Sequence, residues 1–360
     1  MACLLLNLLF SILISLLIFS KNTKAKVTGL CVNCHTMHNS QNGASMMFNS
    51  SYNNATGPLP YLLRGTCLGC HGQNPSGTNY LINGIPQVLH AGSVDLPGGN
   101  FAYIVGIKTR VGSDQYTAGH NVVDLGVIDA YLSSPPGDVY STGVTNNNLT
   151  CAGKFGCHGD RTVSDPYLAI RGAHHTDDSV LKFGSINLSA QGGTVGTSFR
   201  FLLGVKGGEL RWDRYTTNET HNEYFGASSP GSGGSATSPA GNTISGLCAE
   251  CHGNFHSTTG VGTSSPWLRH PSDRVLPNTY EYQYYTTYNM TAPVARQATW
   301  SGWSGSGPSN TVTPGSDVVM CLSCHLAHAG PYYKILRWDY KGWPANGGVN
   351  GCGICHKYKD

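Results

Sequence analysis

Five times the chain spells Cys-x-x-Cys-His: CVNCH at 31–35, CLGCH at 67–71, CAECH at 248–252, CLSCH at 321–325 and CGICH at 352–356. No other feature restricts its folding as strongly. Histidine is 15 of 360 residues, about one in 24, so its return after every pair is not a composition effect. Two thiols three apart with an imidazole directly behind them is the pattern of covalent haem c attachment. The attachment cysteines are Cys31 and Cys34, Cys67 and Cys70, Cys248 and Cys251, Cys321 and Cys324, and Cys352 and Cys355. The thiols add to the two vinyl groups on one porphyrin edge, and the histidine falls under the iron as its proximal ligand. Paired C-x-x-C motifs also build all-cysteine zinc sites, and an even cysteine count in an exported chain also suits disulfides. Neither chemistry asks for a histidine after each pair.

A sixth pair, Cys151 and Cys157 in CAGKFGCHGD, has five residues between its thiols and His158 behind the second. Read as a disulfide, it would leave an incidental histidine at the attachment position. The longer bridge can loop out and leave both sulfurs at the ring edge, so the reading is a sixth haem. Attachment through one thioether or two stays open.

Six histidines are thereby proximal ligands: His35, His71, His158, His252, His325 and His356. Nine remain: His38, His90, His120, His174, His175, His221, His256, His270 and His328. Six irons need six further axial ligands, and neutral imidazole supplies them well. Met37, Met46, Met47, Met290 and Met320 offer the thioether alternative. Bis-histidine ligation is the more economical choice. An iron so ligated has no open position, which favours electron transfer over catalysis; there is also no C-x-x-C-K variant. His38 and His328 follow a proximal histidine by three residues, and His256 follows by four. Such pairs share one face of a turn, whereas a distal ligand must come from the opposite face of the ring. These three are expected to ligate a neighbouring haem, which would draw the haems into a row.

The N-terminus carries a nearly continuous apolar run, Leu4–Phe19, with small residues at Thr23-Lys24-Ala25 before Lys26. It reads as a signal peptide over residues 1–25, although no Lys or Arg precedes the run. An uncleaved anchor competes, but the run is short for a span of about 20 residues. Residues 26–360 then form a single hexahaem c-type cytochrome domain. Export removes Lys21 and Lys24, leaving a charge of about +1, and six ferric haems bring it to about −5. No basic tract survives, which argues against nucleic acid. Low repulsion permits close self-association.

Charged residues are only 11% and glycine is 47 of 360, so the chain is turn-rich and poor in long helices. The expected fold is mostly irregular coil with short helices and few short strands, wrapped around a continuous multihaem array that supplies the apolar bulk. Residues 226–246 and 301–316 have loop composition. FAYIVG (101–106) and FRFLLG (199–204) read as short strands.

These motifs resemble the cytochrome-nanowire family of outer-surface multihaem c-type cytochromes that polymerise into extracellular filaments. The likeness lies in CVNCHTMHNSQNG (31–43), GHNVV (119–123), CHGDR with GAHH (157–161, 172–175), FRFLLGVKG (199–207), CAECHGNFH (248–256), WLRHP (267–271), VMCLSCHLAHAG (319–330) and GCGICHK (351–357). It implies bis-histidine haems stacked in alternating parallel and T-shaped pairs. It also implies transport of electrons from outer-membrane donors to extracellular acceptors. Within it, His38 matches the residue that ligates a haem of the neighbouring subunit, making a head-to-tail homopolymer. His120, His174 or His175, His256, His270 and His328 match the other distal positions, and His90 and His221 match less well. The competing readings are a monomeric periplasmic or outer-membrane-associated electron shuttle, in which all six irons are ligated within one chain, and a reductase with one open iron.

Overall fold

The computed structural model describes residues 35–37, 39–41, 44–45, 66–138, 141–170, 199–202, 204–206, 221–228, 243–256, 272–297, 308–342 and 350–358. Regular structure is sparse and short. The helices are α1 (Cys67–His71), α2 (Ala102–Val105), α3 (Pro166–Ala169), α4 (Ile244–His252), α5 (Cys321–Cys324) and α6 (Cys352–Cys355). The strands are β1 (Ser40–Gln41), β2 (Ala44–Ser45), β3 (Leu81–Ile82), β4 (Ile85–Pro86), β5 (Val205–Lys206), β6 (Glu223–Gly226), β7 (Arg274–Val275), β8 (Arg296–Gln297) and β9 (Val318–Val319). β1–β2, β3–β4 and β7–β9 are antiparallel pairs; β6 pairs antiparallel with β5 and parallel with β8. The irregular fold expected from composition is the one observed. Among the described residues no helix is long and apolar enough to cross a membrane.

Among the described residues, four of the six α-helices carry a Cys-x-x-Cys pair, and three small apolar clusters seat them. Leu68 of α1 packs with Leu89, Phe101, Ile104, Leu125 and Ala329. Ile244 and Leu247 of α4 and Leu322 of α5 pack with Val205, Val318 and Met320. Tyr285, Tyr288 and Val319 form a third cluster, against which Ile354 and Cys355 of α6 lie. The longest helix among the described residues, α4, is started by Thr243, whose hydroxyl accepts from Gly246 N at 2.8 Å and donates to Asp273 Oδ2 at 2.7 Å. One cap thus anchors an attachment helix to a distant loop.

Residues 98–120 clasp residues 328–330 from both sides. His328 N donates to Gly98 O (2.7 Å), Asn100 N to Ala329 O (3.0 Å), His120 N to His328 O (3.0 Å) and Gly330 N to Ala118 O (2.8 Å). Gly99, at φ +97°, makes this approach possible, because a Cβ there would overlap the Ala329 carbonyl.

Both strand expectations fail. FAYIVG forms α2, closed by left-handed Gly106. A short run buried on every side has no period to separate strand from helix. In FRFLLG, Phe199–Phe201 is a 3-10 turn in which Arg200 and Phe201 have φ of 53° and 57°. Residues 308–316 hold only an isolated bridge at Thr311, in keeping with loop composition, while 229–242 and 301–307 lie outside the described residues; the loop reading of 226–246 fails at its ends, where Gly226 closes β6 and Ile244 opens α4 behind the Thr243 cap.

Candidate haem sites

One helical turn brings the two thiols of a Cys-x-x-Cys pair to one side and the histidine to the turn's end. In α5 and α6 the turn closes when the histidine N–H donates to the first cysteine's carbonyl: His325 to Cys321 at 3.0 Å and His356 to Cys352 at 2.9 Å. The long bridge makes the same closure. His158 N donates to Cys151 O at 3.0 Å and Cys157 N to the same oxygen at 3.2 Å, while the added residues turn aside at Gly153, φ +79°. The Cys151–Cys157 segment therefore presents the thiol–thiol–imidazole unit of the short motifs. In α1 the backbone behind the second thiol is held by side chains. Cys70 is half-buried, and its carbonyl accepts from Gln73 Nε2 at 2.9 Å and from Gln87 Nε2 at 3.0 Å.

The attachment imidazoles are held by their second nitrogen. Nδ1 faces a backbone carbonyl in His71 (Pro86, 2.8 Å), His158 (Arg200, 3.0 Å), His252 (Pro136, 2.8 Å) and His325 (Lys334, 2.8 Å). His120 does the same with Ala327 at 2.7 Å. A carbonyl only accepts, so Nδ1 carries the proton and Nε2 keeps the lone pair that ligates iron. His356 differs: its Nδ1 faces the Glu281 carboxylate at 3.4 Å. Two of the carbonyls come from one local device. Arg200-Phe201 and Lys334-Ile335 are consecutive left-handed residues, φ 53°, 57°, 55° and 60°, each pair preceded by an aromatic residue and followed by leucine. Non-glycine residues adopt this conformation at a cost of about 1 kcal/mol or more, and here it aims a carbonyl at an attachment histidine.

Two pairs of imidazoles face each other. Ring centroids of His120 and His252 are 6.0 Å apart, and those of His158 and His328 are 6.2 Å apart. An iron–nitrogen bond of about 2.0 Å, with about 1.2 Å from nitrogen to ring centre, separates two axial imidazole centroids by about 6.4 Å. The side chains thus leave the gap that one iron needs. His328 is also stacked on Phe101, with centroids 5.0 Å apart. Burial pushes His252 down to about 4 and His328 to about 3, and it lowers His71, His120, His158 and His325 as well. All six are neutral at physiological pH, the form that ligates a metal.

The motifs adjoin in chain order. The Cys67 and Cys151 thiols hydrogen-bond each other, as do those of Cys248 and Cys321. Cys157 lies within electrostatic reach of Cys251, and Cys324 within reach of Cys352 and Cys355. A buried ion pair, Arg161–Glu250, joins the residues behind His158 to the interior of CAECH. Among the described residues, the one cluster with metal-ligand spacing is Cys67, Asp124 and Cys151, and no four cysteines converge. Cys70 stands outside that cluster, although it shares a motif with Cys67. A zinc site built on the motif would draw in both of its thiols, so this split also speaks against zinc. The donor set fits haem c: thiol pairs beside oriented imidazoles, with the apolar clusters behind them.

The remaining candidates are placed as follows. His35 is exposed. Fully buried His90 accepts at Nδ1 from Gly92 N (3.1 Å), so its proton sits on Nε2. His221 is fully buried and stacked on Tyr288 at 3.7 Å. His256 gives Nε2 to Asp273 (2.7 Å), so that ligation from it would use Nδ1. Cys31, Cys34, His38, His174, His175 and His270 lie outside the described residues. Sequence reasoning missed the carbonyl acceptors, because any residue carries a carbonyl, and it missed Glu281 and Asp273.

No protein-family model matches the chain. It is 27% identical over 359 residues to the C-type cytochrome OmcS of Geobacter sulfurreducens, which spans 86% of this chain and 78% of that protein. Among solved structures it is similar to the cryo-EM OmcS nanowires of that organism (23% identity, TM-score 0.47) and to the outer membrane cytochrome S filament (21%, TM-score 0.48). Each covers 88% of this chain and 85% of its own. The sequence relative bears out the resemblance read from the motifs.

Proposed function

We propose that this protein is a hexahaem c-type cytochrome that polymerises into an extracellular filament and conducts electrons along stacked bis-histidine haems to extracellular acceptors. One observation carries the reading. Five attachment motifs adjoin in chain order, and two of their histidines face a second imidazole across the gap of one iron. Bound haem c supplies a one-electron Fe(III)/Fe(II) couple. The chain attaches it through Cys31 and Cys34, Cys67 and Cys70, Cys151 and Cys157, Cys248 and Cys251, Cys321 and Cys324, and Cys352 and Cys355. The carbonyl-anchored rings of His71, His158, His252 and His325 would hold four of the irons' ligands in one orientation, and a second imidazole would close the position that a substrate needs. On this reading the protein is an electron carrier without an open catalytic haem.

The pairing assigns His120 to the haem of Cys248 and Cys251, and His328 to that of Cys151 and Cys157. Further distal ligands come from His38, His174, His175, His221, His256 and His270, and from His90 once its Nδ1 contact with Gly92 N is exchanged for the other tautomer. Residues 1–25 direct export, and residues 26–360 act as one unit. The likeness of CHTMHNS to the filament-forming family supports the polymer. In it, His38 ligates a haem of the adjoining subunit, and outer-membrane donors feed the filament.

The test is electron microscopy of material sheared from producing cells, with helical reconstruction, for wild type and His38→Ala. Filaments from wild type alone, with an imidazole crossing each subunit boundary, are expected. Discrete particles with six internally ligated irons would replace this reading with the shuttle. Normal filaments from His38→Ala would remove the joint role.

A further inference from the structure

The sixth motif is held differently from the second to fifth. His71, His158, His252 and His325 each donate Nδ1–H to a neutral peptide carbonyl. His356 turns Nδ1 to Oε1 of Glu281. Glu281 is not a chance surface neighbour. Its side chain is 14% exposed and that of His356 is 28% exposed. It sits in the 3-10 turn Tyr280–Tyr284, which packs on α6 and sets Tyr282 edge-on to the His356 ring at 4.9 Å. One turn thus supplies both the ring's acceptor and its aromatic wall.

A carboxylate differs from a carbonyl in carrying a full negative charge. As the acceptor of Nδ1–H it makes the imidazole a stronger donor to iron, and its charge also favours the more positive metal state. Reduction adds one electron, passed from the neighbouring fifth-motif haem, takes Fe(III) to Fe(II) and lowers the site's charge by one unit. Both effects oppose that step. We propose that Glu281 is a positioning residue that sets the sixth-motif haem at a lower reduction potential than the haems whose histidines face carbonyls. The row of carriers is then uneven at this end: an electron reaching the sixth haem is passed on rather than held. The inference rests on haem attachment at Cys352 and Cys355, as proposed above.

The test is a spectroelectrochemical titration of the purified full-length holoprotein beside its Glu281→Gln variant. Each is first checked for six covalent haems by mass spectrometry and for low-spin iron by electron paramagnetic resonance. Glutamine keeps an acceptor oxygen of the same reach and removes only the charge. The expected result is six low-spin haems in both proteins, with the lowest-potential sixth of the absorbance change moved to higher potential in the variant. A merely structural role would alter haem content or spin state and leave the potentials of intact sites in place. Superimposable curves with six low-spin haems would overturn the tuning role alone. A wild-type protein lacking haem on Cys352 and Cys355 would overturn the attachment reading and this inference with it.

Discussion

Replacing His120 by alanine tests whether the facing imidazoles share an iron. The ring of His120 stands 6.0 Å from that of His252, and His328 stands 6.2 Å from His158. The substitution leaves the local backbone in place, because His120 N still donates to His328 O (3.0 Å) and Val122 N to the residue-120 carbonyl (2.9 Å). His328→Ala keeps its own donation to Gly98 O at 2.7 Å. Each variant should therefore lose one sixth ligand and little structure. With six haems of similar absorbance, each single variant should convert about one sixth of the low-spin signal to high-spin or ligand-exchangeable iron. The two pairs involve different attachment motifs, so the effects should add to about one third in the double variant. Absorption spectra with added imidazole, together with electron paramagnetic resonance, read this fraction directly. Conversion of only one sixth in the double variant would mean that both rings serve a single haem. Fully low-spin iron in either single variant would refute that pairing.

Three further outcomes follow from the packing. Glu250→Leu removes the carboxylate partner of the Arg161 guanidinium, whose side chain is only 11% exposed, and should lower stability by about 1–3 kcal/mol; unchanged thermal unfolding would show that the pair adds nothing. The folded values of His252 (about 4) and His328 (about 3) lie below the ordinary 6.5, so on acidification the unfolded chain binds protons first. Their contribution is whole above pH 6.5 and is lost as pH falls toward 4 and 3. The low-spin spectrum should accordingly persist from pH 7 to about pH 5, and high-spin onset above pH 6 would contradict the burial that causes the shifts. Gly99→Ala should cost about 2 kcal/mol or more in a denaturant titration, since φ is +97° and the added carbon meets the Ala329 carbonyl; a smaller loss would mean that the clasp can open without penalty.

Attachment chemistry was legible in the sequence because it is local. A covalent haem needs two thiols and an imidazole at short fixed spacing, so twelve cysteines and six histidines stand out as attachment candidates without any knowledge of the fold. The irregular architecture was legible too, since glycine-rich, charge-poor segments cannot sustain long amphipathic helices. The long Cys151–Cys157 bridge is an open question in the sequence, and the tertiary geometry adds one observation to it: the His158–Cys151 backbone closure is the one made in α5 and α6. FAYIVG was misread because a run buried on all sides carries no periodicity.

Which imidazole faces which was decided only by the tertiary structure. His120 reaches His252, and His328 reaches His158, because the clasp around Ala329 joins segments more than two hundred residues apart. The anchors of Nδ1 were equally hidden, as a carbonyl has no residue signature and Glu281 is one carboxylate among many until folding sets it beside His356. Residue identity and short spacing thus carry the reading of how many haems the chain binds and where they attach. The opposite face of each iron, and the second nitrogen of each ligand, are filled by whatever long-range packing brings there.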